Sequence, residues 1–164
     1  MKLVQIFMTE SKDGTYAGVH FSKKTRDNII DYVEKHNIPN LTDVDDLHTT
    51  LLYSRKHLPN YVAAGRYETP LIGKPLSWKT WKTQEGKTCL VLPFECKELY
   101  QRHKDLMKEH KATWDYDDYK PHITLSYDIG DDFDTDTLPH FSKPIEITEE
   151  YSTPLDLNWT SKKK

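Results

Sequence analysis

His48-Thr49-Thr50-Leu51-Leu52-Tyr53 and His122-Ile123-Thr124-Leu125-Ser126-Tyr127 decide how this chain folds. Both read H-x-T-L-x-Y, and each shared position recurs at a constant offset of 74. A long pattern repeated at one spacing marks a duplicated structural unit. Each stretch is short and rich in Thr, Leu and Tyr, which suits a strand. Side chains alternate along a strand, so His48 and Thr50 are expected on one face and His122 and Thr124 on the equivalent face of the second copy. Leu51 with Tyr53, and Leu125 with Tyr127, are expected on the opposite faces.

Outward from the first copy, strand signals fall at residues 2–8 and 15–21, and Ser22 opens a helix with Ile29, Ile30 and Val33 on one side, ending near Asn37-Ile38-Pro39. Around the second copy, strands are predicted at 70–82 and 87–95, a helix at 97–111 and the motif strand at 119–127. A closing pair of strands is predicted at 145–151 and 155–159, followed by a solvated lysine tail. The polar stretch 56–66, with Pro59 and Gly65, is the expected seam. The whole is one domain of 164 residues, with lobe one about 1–60 and lobe two about 66–160.

Composition narrows the partners. Hydrophobic residues make up 36% and charged residues 30%, and the 12% aromatic content is too high for a disordered chain. The net charge of -3 argues against a long nucleic acid, which needs a basic excess, and leaves room for a ligand with a few phosphates. No secretion signal or bilayer-length apolar run is evident, so a cytoplasmic protein without membrane contact is expected. Cys89 and Cys96 lack metal-ligand spacing and read as reduced structural thiols.

An imidazole beside a hydroxyl, delivered twice, suits a phosphodiester: the threonines donate to non-bridging oxygens and the histidines move two protons. His48, Thr50, His122 and Thr124 are therefore the candidate catalytic residues, with His48 assigned base and His122 acid, although a pseudosymmetric site gives no sequence reason for that order. His103 and His110 fall at helical spacing with Leu99, Leu106 and Met107 and read as packing residues. The acidic clusters read as solvated faces. Asp132-x-Asp134-x-Asp136 fails as a calcium loop, having Thr137 where Gly is needed and Lys143 where the closing Glu belongs. No metal or cofactor is expected.

With H-x-T present twice, the chain resembles the two-histidine (2H) phosphoesterase superfamily. That resemblance implies an α+β, bilobal fold: two pseudosymmetric antiparallel-sheet lobes, helices outside and the active-site cleft between them. From Tyr16 to Trp159, including LHTTLLYS and KPHITLSYD, the chain looks like the anti-CBASS nucleases of tailed bacteriophages, which degrade cyclic oligonucleotide alarm signals of bacterial defence. The resemblance implies metal-free hydrolysis of 3′–5′ linkages in cyclic di- and trinucleotides such as cyclic GMP-AMP, in the host bacterial cytoplasm, with His48, Thr50, His122 and Thr124 at the catalytic positions. Trp78 and Trp81 should face opposite ways, and the resemblance assigns Trp78 to the cleft. It also places Tyr16 and Trp159 as aromatic clamps. Glu150 is a candidate reader of an exocyclic amine. The alternatives are a 2′,3′-cyclic phosphodiesterase acting on RNA ends, a non-catalytic cyclic-nucleotide sponge, and an interaction protein whose motifs are duplicated core strands.

Overall fold

A computed structural model describes residues 13–155. The expected strand at 2–8, Trp159 and the lysine tail lie outside the described residues. The elements run β1 (Gly14–Phe21), α1 (Lys23–Lys35), β2 (Thr49–Ser54), β3 (Gly65–Pro75), β4 (Lys79–Lys82), β5 (Thr88–Glu95), α2 (Lys97–His110), β6 (His122–Ser126) and β7 (Ile145–Leu155). The strands form one antiparallel sheet in the order β2-β1-β7-β3-β5-β4, with β6 on the other side of β5. This is the mixed α+β architecture that the resemblance implies. No helix among the described residues is long and apolar enough to cross a membrane.

The helix signals translate directly. The Ser22 hydroxyl accepts the Thr25 amide at 3.1 Å, and Ile29 and Val33 face the core. α2 buries Leu99, His103 and Leu106 and stops at Lys111, whose φ of 52° leaves the helical region.

The strand boundaries shift in two places. The expected strand at 70–82 is two strands, because the chain leaves the sheet after Pro75 and the Leu76 amide turns to the Pro93 carbonyl at 2.8 Å. The expected strand at 145–151 runs on as β7 to Leu155, and beyond Leu155 the expected strand at 155–159 lies outside the described residues. β7 lies between β1 and β3, so a strand from the end of the chain completes the sheet that carries the first motif. Sheet membership therefore does not follow the halves of the sequence.

Both motif strands carry a one-residue bulge at the same motif position. Thr50 pairs with Gly18 and Leu52 with Ala17, so Leu51 has no partner; Thr124 pairs with Val91 and Ser126 with Leu90, so Leu125 has none. Leu51, Leu52, Leu125 and Ser126 are all fully buried. The bulge sends two successive residues into the core and reverses the alternation that follows. Tyr53 consequently pairs with Tyr16, which shares its face with Thr50, contrary to the expectation from simple alternation.

Candidate active site

His48 immediately precedes β2 and His122 opens β6. Their anchoring is matched. His48 Nδ1 lies 2.7 Å from the Asp46 carbonyl and His122 Nδ1 lies 2.9 Å from the Lys120 carbonyl, in each case two residues upstream. A carbonyl only accepts, so each Nδ1 carries the proton and each Nε2 is left available. His122 and Thr124 are half-buried while Ile123 and Leu125 are buried; His48 and Thr50 alternate with Leu47, Thr49 and Leu51 in the same way.

The two motif strands meet without belonging to one ladder. Thr49 Oγ1 donates to the His122 carbonyl at 2.8 Å. Burial pushes His122 below the ordinary imidazole value; the Lys120 carbonyl partly opposes this, and the nearby His48 adds to it. His122 therefore holds its neutral form to lower pH than a free histidine.

Around the first pair, Tyr16 and Thr50 share a hydroxyl–hydroxyl hydrogen bond of 2.9 Å. Burial, reinforced by Tyr151, pushes the Tyr16 phenol far up, so it remains protonated. Tyr151 stacks on His20 at 4.2 Å, and His20 Nδ1 meets Glu149 at 3.1 Å. Gly18 leaves room for the Tyr151 ring, since a Cβ there would come within 2.6 Å of the Tyr151 hydroxyl and Tyr151 would have to shift. His20, Thr42, Asp46, His48, Tyr127 and Tyr151 line a cleft of about 420 Å³. Tyr127 reaches it because the Leu125 bulge turns the chain, and its phenol neighbours Thr124.

The expected ligand residues fare differently. Tyr16 lies beside Thr50 and His48. Trp78 does not reach the cleft: its indole N–H meets the Tyr32 hydroxyl at 3.0 Å and the Pro139 carbonyl at 3.1 Å, and its ring packs against Tyr32 and Phe141. Trp81 is the tryptophan at the site, edge-on to the His122 ring at 4.6 Å. The expected division of the pair is seen with its members exchanged.

Glu150 is also placed elsewhere. It is 1% exposed and takes hydrogen bonds from Tyr61, the Ala64 amide, Tyr67 and both arms of Arg102. With these donors engaged, its carboxylate is a buried structural hub. Sequence reading missed Trp81, Tyr127, Tyr151 and His20. The repeated tyrosine of H-x-T-L-x-Y was the available signal for Tyr127.

The chain matches the family described as anti-CBASS protein Acb1 over residues 13–162. The anti-CBASS protein Acb1 of enterobacteria phage T4 is 36% identical over 156 residues, covering 93% of this chain and 97% of the relative. That of Vibrio phage KVP40 is 34% identical over 148 residues, covering 90% and 91%. Among solved structures, E. coli LigT in apo form superimposes with a TM-score of 0.52 at 20% identity, over 88% of this chain and 96% of that one, a likeness of fold. The family match over residues 13–162 and the coverage of nine-tenths or more of both phage relatives lead to one assignment: this chain belongs to the anti-CBASS protein Acb1 family.

Proposed function

We propose that the protein is a metal-independent phosphodiesterase that opens 3′–5′ bonds of cyclic di- and trinucleotide defence signals, such as cyclic GMP-AMP, in the cytoplasm of an infected bacterium and so counters CBASS immunity. The observation that carries this reading is the matched anchoring of His48 and His122 through Nδ1, which leaves both Nε2 atoms for proton transfer beside Thr50 and Thr124. Membership in the anti-CBASS family supports a cyclic nucleotide as the substrate class. The net charge of -3 favours a ligand with few phosphates.

A ribose 2′-hydroxyl beside the scissile linkage is a built-in nucleophile. His122 Nε2 takes its proton, the 2′-oxygen bonds to phosphorus, the P–O5′ bond breaks, and His48 Nε2–H protonates the departing 5′-oxygen. Water then opens the resulting 2′,3′-cyclic phosphate with the two roles exchanged. This order reverses the sequence expectation, because burial favours the neutral, proton-accepting form of His122. The Tyr16 hydroxyl, hydrogen-bonded to Thr50 Oγ1, holds the threonine hydroxyl in place beside a non-bridging phosphate oxygen. Thr124 acts equivalently from the other side. Trp81, Tyr151 and Tyr127 offer aromatic surface for the bases.

The test is incubation with a panel of 3′,3′- and 2′,3′-linked cyclic nucleotides in EDTA, followed by chromatography. Linear products formed despite the chelator are expected. Binding without product would replace the proposal with a sponge, loss of activity in EDTA with a metal enzyme, and turnover confined to cyclic-phosphate RNA ends with an RNA-processing enzyme.

A further inference from the structure

Behind the imidazoles, two buried hydroxyls join the motif segments in opposite directions. Thr49, 1% exposed, donates from the first motif to the carbonyl of His122 at 2.8 Å. Tyr119, 5% exposed and three residues before His122, donates to the carbonyl of Thr50 at 2.7 Å. Each tethered carbonyl thus belongs to a residue of the candidate machinery.

No ladder does this work. Among the described residues β2 is an edge strand of the sheet and β6 lies beyond β5, and no ladder pairs the two strands. The tether is also braced. The Tyr119 ring lies face to face with His103 at 4.2 Å, within 8° of parallel, and His103 Nδ1 donates to the Leu51 carbonyl at 2.7 Å. Successive carbonyls at the β2 bulge, those of Thr50 and Leu51, are therefore held by side chains from α2 and the approach to β6. At the equivalent bulge of β6, the Leu125 carbonyl is held by the Thr42 backbone amide at 2.7 Å.

We propose that Thr49 and Tyr119 are positioning residues, a reciprocal pair of hydroxyl tethers that sets the separation of the two imidazole–hydroxyl sets across the cleft. The inference rests on the two-histidine chemistry proposed above. A displacement of about 1 Å between groups that act on one phosphate costs on the order of 10²-fold, so small changes in these tethers are amplified in turnover.

Thr49→Val keeps the volume and removes the hydroxyl, Thr49→Ser keeps the hydroxyl, and Tyr119→Phe keeps the ring and its stack on His103. For Thr49→Val and Tyr119→Phe we expect kcat to fall roughly 10- to 100-fold with KM within about twofold of wild type. Thr49→Ser should recover kcat to within about threefold. A second measurement needs no turnover: the His122 ring is titrated by NMR with and without His48→Ala, in wild-type and Thr49→Val backgrounds. The influence of His48 on His122 should shrink when the tether is cut. Unchanged kcat in Thr49→Val and Tyr119→Phe, failure of Thr49→Ser to restore it, or unchanged His48–His122 coupling in Thr49→Val would each overturn the proposal. Should wild-type protein cleave no cyclic nucleotide, the functional reading fails and the titration alone decides the tether. If Thr49→Val does not fold, the kinetics of Tyr119→Phe and Thr49→Ser decide it.

Discussion

Glu150 gives the sharpest contrast between a ligand contact and a structural hub. Its carboxylate receives Tyr61 at 2.7 Å, the Ala64 amide at 2.8 Å, Tyr67 at 3.1 Å, and Arg102 through Nε and Nη2 at 2.9 Å each, tying β7 to α2, β3 and the connector before it. Burial alone would raise its pKa, but Arg102, the Ala64 amide and Tyr61 outweigh burial and hold it below the ordinary glutamate value. Glu150→Ala leaves a half-buried guanidinium, two phenols and an amide without their acceptor. Removing one member of a buried ion pair costs about 3–5 kcal/mol. At roughly 2–4 °C per kcal/mol for a chain of this size, the melting temperature should drop by about 6–20 °C, as read by circular dichroism. The wild-type contribution is present above the unfolded-state glutamate pKa and is lost as pH falls through the lower folded-state value, so the melting difference between wild type and variant should narrow in acid. A Glu150→Ala protein that melts within about 2 °C of wild type yet loses nucleotide affinity would refute the hub and restore Glu150 as a ligand contact.

Three further outcomes are expected. His48→Ala and His122→Ala should each lower turnover by about 10²–10⁴-fold, more than Thr50→Val or Thr124→Val, which remove one hydrogen bond worth roughly 1–3 kcal/mol; a folded His122→Ala protein with near-normal turnover would refute the scheme. The pH–rate profile should be bell-shaped, with the limb that reports deprotonation of His122 lying below the ordinary imidazole value of 6.5, because burial lowers it; the same shift makes the fold lose stability as pH falls through that ordinary value. Trp81→Ala should weaken nucleotide binding by about 1–3 kcal/mol with little change in melting, since Trp81 is 46% exposed beside His122. Trp78→Ala should do the reverse, costing roughly 1–3 kcal/mol of stability through lost contacts with Tyr32 and Phe141, and calorimetry with thermal melts separates the two.

The sequence by itself determined the repeated unit and the residues most able to move protons. The candidate set His48, Thr50, His122 and Thr124 was legible because H-x-T recurs in register and local alternation governs the first three residues of each motif. The helices were legible for the same reason: the Ser22 cap and the spacing of Ile29 and Val33 are local. Tertiary structure decided what depends on distant partners. The bulges at Leu51 and Leu125 arise where neighbouring strands pair one residue out of step, and they turned Tyr53 and Tyr127 to faces that simple alternation denies them. Trp78 and Trp81 look equivalent in sequence; Tyr32 and Phe141 claim one, and His122 takes the other. Glu150 looks like any surface acid until Arg102, 48 residues away, and the Tyr61 and Tyr67 phenols converge on it. Local periodicity determines which way a side chain points, whereas the hydrogen-bond partners of a buried polar group depend on which segments the fold brings together.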